Sequence, residues 1–300
     1  MMANTQSTSR DSKSSIRVGI IGGSGLYRME GLSDVEERTV STPFGEPSDE
    51  VLIGALDGVR VAFLARHGRG HRLLPSEVNY RANIFALKSL GVQQVIAVSA
   101  CGSLREHIHP GEVVIPDQLF DFTKSREYTF FGDGLAVHIG TANPFCVRLS
   151  ALVGEAVEGA GGTVHPQGSF ITIEGPRFST RGESFAFRSW GMDIIGMTTS
   201  PEAFLAREAE MCYAVMAHVT DYDVWHETEE EVSVETVIRV LQQNTTLAQE
   251  AIGALVPRLV QGEPTCGCGE ALATAIITDR DAISQRAREK LGPIVGGYLT

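Results

Sequence analysis

The chain has 300 residues, 43% hydrophobic and 21% charged, a globular composition with enough apolar material for one substantial core. Its net charge of −12 argues against binding along a nucleic-acid backbone, although local donors can still hold an anion on an acidic protein. No apolar stretch approaches the roughly 20 residues of a membrane span, and residues 1–15 are mostly polar and read as a disordered tail without the apolar segment of a signal peptide.

Residues 17–21 form an apolar, β-branched run that predicts a buried strand, ending in Gly22-Gly23-Ser24-Gly25. Glycines there expose backbone N–H groups that can cradle a phosphate, and the Ser24 hydroxyl can add a donor; a simple tight turn is the rival reading. A dinucleotide fingerprint fails, because the stretch from Gly23 lacks the third glycine. Strands are predicted over 51–53 and 59–65, the second leading into Arg66-His67, where an arginine suits bidentate phosphate contact and the histidine could donate beside it. A helix is predicted over 75–90, then a strand over 92–98 running into the small residues Ser99, Ala100, Cys101, Gly102 and Ser103, which let backbone approach a ligand. Further strands are expected over 112–116, 163–173 and 193–197, the last followed by the hydroxyls of Thr198 and Thr199. Helices are expected over 144–160 and 201–209, and a final strand over 211–219. Residues 233–255 carry Val234, Val237, Ile238 and Leu241 at helical spacing. A Gly/Pro/Cys loop over 261–269 and a short helical tail over 270–291 complete the chain.

Alternating strands and helices predict an α/β fold, a single-domain mixed β-sheet flanked by helices over residues 16–260, with 261–300 as a C-terminal extension. Ligands of such sheets bind beyond the carboxyl ends of the strands. Several of these strand ends carry anion donors, and another carries Thr220-Asp221-Tyr222-Asp223. In extended chain, Asp221 and Asp223 would point to the same side. One ionised and one protonated carboxyl could read a purine edge: one accepts from an exocyclic amine, the other donates to a ring nitrogen. A loop-start cap beside a solvated aspartate is the plainer alternative.

Five cysteines suit a reducing compartment better than a disulfide scaffold. Cys266-Gly267-Cys268 could hold a metal, but a structural zinc wants four ligands and the sequence places no second pair nearby. A reduced structural pair is therefore expected, with a disulfide as the alternative.

Gly22-Gly23-Ser24-Gly25, Thr42-Pro43-Phe44-Gly45, Arg66-His67-Gly68, Glu174-Gly175-Pro176-Arg177-Phe178-Ser179, Gly196-Met197-Thr198-Thr199 and Thr220-Asp221-Tyr222-Asp223-Val224-Trp225 together resemble the purine nucleoside phosphorylase and methylthioadenosine phosphorylase family, over about residues 16–260. The resemblance implies a nucleoside phosphorylase-like fold and phosphorolysis of a thionucleoside, with inorganic phosphate as co-substrate and no cofactor or metal. It places Ser24, Arg66, His67, Ser99, Ala100 and Thr198 at the phosphate, Met197 beneath the ribose, Phe178 near the base, Asp221 at purine N7 and Asp223 near the 6-amino group. Ser179 and Asp221 stand where relatives selective for 6-oxopurines carry other residues, so a 6-aminopurine is expected. Val234, Val237 and Ile238 would wall an apolar 5′ group, and His138 would close a neighbouring subunit's pocket. Gly196 stands where relatives often have asparagine. A cytosolic homotrimer follows from the resemblance, with a hexamer as alternative, binding neither nucleic acid nor membrane. Rival readings are a phosphorylase for 6-oxopurine nucleosides, a hydrolase using water at the same bond, and a non-catalytic nucleotide sensor.

Overall fold

The computed structural model describes residues 15–23, 26, 31–226, 234–262 and 264–299. Ser24, residues 1–14 of the expected tail, and the side chain of Val237 lie outside the described residues.

Among the described residues, eleven strands form one mixed sheet: β1 (Val18–Gly22), β2 (Leu32–Arg38), β3 (Val51–Leu56), β4 (Val59–Ala65), β5 (Gln94–Ser103), β6 (Val113–Val114), β7 (Gln118–Phe122), β8 (Val164–His165), β9 (Ser169–Ile173), β10 (Ile194–Gly196) and β11 (Cys212–Asp221). The order is β2-β3-β4-β1-β5-β10-β9-β7, and β11 joins β5 and leads through β6 to β8. The helices are α1 (Tyr80–Ser89), α2 (Val147–Gly159), α3 (Arg181–Ser189), α4 (Thr199–Glu208), α5 (Val234–Leu259), α6 (Gln285–Lys290) and α7 (Gly292–Val295).

The central strands are apolar on both faces because both faces are covered. Along β11, Tyr213, Val215, Ala217 and Val219 pack into one core cluster, while Cys212, Ala214 and Met216 pack into the other. In β5, Val95 and Ala97 alternate with Ile96 and Val98 in the same way. Two-residue periodicity therefore builds two cores from each uninterrupted run. One core includes residues of α1, α4 and the C-terminal segment; the other includes residues of α2 and α5.

Several boundaries differ from the sequence expectation. The run over 163–173 divides into β8 and β9 around Pro166 and Gly168, since proline cannot donate to a ladder. Strands β2 and β7 and helix α3 had no strong apolar signature: β2 is largely exposed, β7 is half-buried, and α3 buries little beyond Ser184 and Phe187. A capping box marks the start of α3, with Thr180 Oγ1 accepting from Glu183 N and the Glu183 carboxylate accepting from Thr180 N. The first helix begins five residues later than expected, at Tyr80, where Asn79 Oδ1 accepts from Ala82 N at 3.1 Å.

The tail is less helical than its composition suggested, with 3-10 turns at Gly267–Glu270 and Arg280–Ala282 before α6 and α7. It nevertheless buries Leu272, Ile283, Leu291, Ile294 and Val295 in the core cluster shared with α1 and β11. Glu210 ties down both its ends, accepting from Leu272 N at 2.9 Å and from Tyr298 Oη at 2.6 Å. Ile276 bridges to Val137, and His138 N donates to Ala275 O. Leu291→Ala is expected to destabilise the protein by about 2–5 kcal/mol in urea unfolding, as truncation in a closed core does; a change below about 0.5 kcal/mol would mean the segment lies outside the cooperative unit.

Candidate active site

Strand β5 carries an interruption in the sheet's ladder. Its residues Gln94 to Ala97 pair with β1 on one edge, and Ser103 and Gly102 pair with β10 on that same edge, because β11 occupies the other edge from Gln94 to Gly102. Between Ala97 and Gly102 that edge carries neither β1 nor β10. The backbone of Val98, Ser99, Ala100 and Cys101 therefore borders an opening in the sheet, flanked by the ends of β1, β4 and β10. Ser99 Oγ is buried with no hydrogen-bond partner among the described residues. Strand β10 runs antiparallel to β5, so Met197 and Thr198 reach this opening from the opposite direction to Arg66 and His67. Gly196 fits there because a Cβ would lie 2.7 Å from the Phe170 ring. Thr198 is buried at the N-cap of α4, and its hydroxyl makes no capping bond.

Arg66 is buried, and its fork is already occupied. Nε and Nη2 donate to the two carboxylate oxygens of Glu202 at 2.8 and 2.9 Å, Nη1 donates to Val98 O at 3.1 Å, and Nη2 donates to Ile21 O. Four of the five N–H groups are thus used, so the expected bidentate contact with phosphate gives way to a bidentate pair with Glu202. A guanidinium this buried needs a counter-charge, and Glu202 holds it firmly protonated. Tyr213 Oη adds a third hydrogen bond to Glu202, at 2.8 Å. The sequence did not single out Glu202, since an acidic residue in a first helical turn is an ordinary helix signal.

His67 also departs from expectation. Its Nδ1 lies 2.9 Å from Leu73 O, and a carbonyl can only accept, so Nδ1 carries the proton. Burial, then the neighbouring Arg66 charge, lowers its pKa to about 4. Near neutrality the ring is uncharged and Nε2 is an acceptor. It can receive a hydrogen bond from a protonated phosphate oxygen, but it does not donate.

Asp221 and Asp223 come together through a turn instead of extended chain. Strand β11 continues to Asp221 with a register shift after Val219, and Asp223 adopts φ 51°. Asp221 Oδ1 accepts from Asp223 N at 2.8 Å, and Oδ2 accepts from Thr220 Oγ1 at 2.7 Å. Both side chains crowd Gly102, where a Cβ would lie 2.8 Å from Asp221 Oδ1 and 3.3 Å from Asp223 Cβ. Burial raises the Asp221 pKa to about 6, against the opposing effect of its two hydrogen bonds. Burial also raises that of Asp223, partly offset by the hydroxyls of Ser184 and Ser179 beside it. Trp225 fixes the end of the turn, donating Nε1–H to Ser103 O at 2.8 Å under the Arg188 guanidinium.

Met197 packs on the cluster of Ile173, Phe187 and Trp225. Gly175, at φ 67°, lets it approach, since a Cβ there would lie 2.6 Å from Met197 Sδ. Phe178 is half-buried and Ser179 is buried. Val234 and Ile238 are exposed at the start of α5, at 64% and 49%. His138 is exposed on the loop that pairs with the C-terminal segment.

The model of the phosphorylase superfamily matches residues 17–257. A curated relative from Geobacter sulfurreducens, named S-methyl-5′-thioadenosine phosphorylase, is 55% identical over 94% of this chain and 99% of its own length. Another of that name, from Hyperthermus butylicus, is 53% identical over 87% of this chain and 95% of its own. Among solved structures, a methylthioadenosine phosphorylase from an antarctic soil metagenomic library superposes with TM-score 0.90 at 46% identity, covering 93% of this chain and 99% of that one. A Schistosoma mansoni methylthioadenosine phosphorylase in complex with adenine has TM-score 0.82 and 39% identity, over 87% and 99% of the two chains.

Glu202→Ala is expected to destabilise the protein by about 3–5 kcal/mol in denaturant unfolding, because it strands the buried Arg66 charge. Asp221 keeps its proton to a higher pH when folded, so its ionisation leaves stability untouched below the unfolded value of 3.8, erodes it as pH rises, and has its full cost above about 6. Asp221→Asn should therefore be more stable than the parent at pH 7.5, by on the order of 2–3 kcal/mol, with the gap closing toward pH 4 in urea titrations.

Proposed function

This chain belongs to the phosphorylase superfamily, among its S-methyl-5′-thioadenosine phosphorylases, and we propose that the opening beside β5 is where it cleaves that substrate with phosphate. The products are adenine and 5-methylthioribose 1-phosphate. The observation that carries the assignment of the site is the buried Asp221–Asp223 turn facing the gap in the strand ladder.

The chemistry follows from charge. The bond from C1′ to the purine breaks, leaving positive charge on the sugar and negative charge on the base, and a phosphate oxygen closes on C1′. Asp221, with its pKa raised to about 6, can be protonated in the occupied site and deliver that proton toward N7. The proton that hydrogen phosphate brings balances the one that leaves on adenine. Asp223 would accept from the 6-amino group; a 6-oxo group would meet a carboxylate oxygen instead, which disfavours 6-oxopurines. Phosphate would meet Ser99 Oγ, the backbone at Ala100, Thr198, Ser24 and the remaining Nη1–H of Arg66, with neutral His67 accepting its proton. Holding the dianion beside the cationic sugar supplies electrostatic stabilisation without a cofactor. Met197 would support the ribose, Phe178 the base, and Val234, Val237 and Ile238 the methylthio group. The exposure of Val234, Ile238 and His138 in one chain favours a homotrimer in which neighbours complete each site, a hexamer being the alternative. No helix of the described residues is long and apolar enough to cross a membrane. Free thiols and an acidic surface fit a cytosolic enzyme that binds nucleoside and phosphate and no nucleic acid.

Adenine release from methylthioadenosine should require phosphate and exceed release from adenosine, with methylthioinosine weaker still. Asp221→Ala should lower kcat by about 10²–10⁴ while leaving phosphate affinity within a few fold, as loss of a general acid does. Turnover without phosphate would make the site hydrolytic, and near-parent activity of the variant would remove Asp221 from the acid role.

A further inference from the structure

The tertiary fold supplies the second cysteine pair that the sequence seemed to lack. Cys146 caps the N-terminus of α2, Cys212 opens β11, and Cys266 and Cys268 flank Gly267 at the start of the C-terminal segment. Their four Sγ atoms all lie within 4.8 Å of one another, and the Cys212 and Cys266 sulfurs are 3.2 Å apart. All four thiols are free, and only Cys266 is more than slightly exposed. We propose that Cys146, Cys212, Cys266 and Cys268 form a tetrahedral tetrathiolate site for a zinc ion that clamps the C-terminal segment to the sheet.

Mutual proximity distinguishes this site from two disulfides. Two disulfides need two close pairs but no closeness between the pairs. A tetrahedral ion with bonds of about 2.3 Å draws all six sulfur separations toward about 3.8 Å, a value bracketed here by 3.2 Å for Cys212–Cys266 and the 4.8 Å limit on all pairs. Four thiolates are also the donor set that selects zinc over harder cations.

The surroundings suit thiolates. Cys146 sits where the first N–H groups of α2 and their dipole favour an anion. Arg207 Nη1 lies 3.5 Å from Cys268 Sγ, and Arg148 sits near Cys212 and Cys266 with its Nη2 donating to Gln94 Oε1. Four thiolates around a dication leave two negative charges, which these two guanidinium groups match. Such outer partners hold ligands in place as much as the metal does. The backbone around the ligands is tied as well: Cys146 N donates to Tyr213 O and Cys212 N donates to Gln93 O, both at 2.9 Å.

The clamp has a structural purpose. Cys212 and Cys266 are 54 residues apart, so the ion closes a long loop that otherwise depends on side-chain packing. It fixes the start of the strand whose far end carries Asp221, and the start of the segment that pairs with the His138 loop. The ion would lie among the ligands and outside the opening beside β5, so its role is stability.

The test uses the full chain, produced with added zinc, purified under reductant without chelator, and measured by elemental analysis and intact mass. About one zinc per chain is expected, falling to background in Cys268→Ser and in Cys266→Ser/Cys268→Ser but retained in Cys101→Ser. Cobalt substitution should give the charge-transfer absorption of a tetrahedral thiolate site, and removal of zinc should lower Tm by several degrees. Circular dichroism on each variant distinguishes a lost ligand from a lost fold. Absence of bound zinc in the folded parent, whether its thiols titrate as free or its mass shows them oxidised in pairs, overturns the proposal, as does undiminished zinc in the folded double variant.

Discussion

A buried strand must find hydrogen-bond partners along both edges, and β5 finds a strand on each except between Ala97 and Gly102, where β1 has ended, β10 has not begun and Arg66 Nη1 donates to Val98 O instead. Much of the functional architecture depends on that interruption. It leaves the backbone of Val98, Ser99, Ala100 and Cys101 without a neighbouring strand on one edge, at the centre of an apolar sheet. It also explains why a glycine stands at 102, where a Cβ would lie 2.8 Å from Asp221 Oδ1 and 3.3 Å from Asp223 Cβ.

Burial sets the charge state of each group around the opening. Arg66 stays cationic because Glu202 faces it, so the pair is nearly neutral and its attraction for an anion is modest. His67 is held neutral, and Asp221 lies close to its titration point. Binding a dianion in such a site relies more on oriented donors and excluded water than on net positive charge, which suits a protein with an acidic surface.

The C-terminal segment belongs to the same physical unit as the sheet. Its apolar side chains share a core with α1, α4 and β11, Glu210 fastens two points of it, and its first residues bring two thiols against two from the sheet side. Through Ile276 and Ala275 it also braces the loop that presents His138, so one segment links the start of β11 to that loop.

The sequence by itself determined the α/β class, the central strands and the residue types at the strand ends, because hydrophobic burial on both faces leaves an uninterrupted apolar record in β5 and β11 and glycine and hydroxyl residues punctuate their ends. It also singled out Asp221 and Asp223, which the structure buries together in one turn. Edge strands β2 and β7 and the polar helix α3 left little apolar record, because exposed elements need no apolar pattern. Tertiary structure alone decided that Glu202 takes the Arg66 fork, that a carbonyl fixes the His67 tautomer, that a turn unites the two aspartates, and that four cysteines converge. Each of these is a contact between residues whose partner or geometry is set by packing. Periodicity and composition report which face of an element is buried, but not which group waits on the other side.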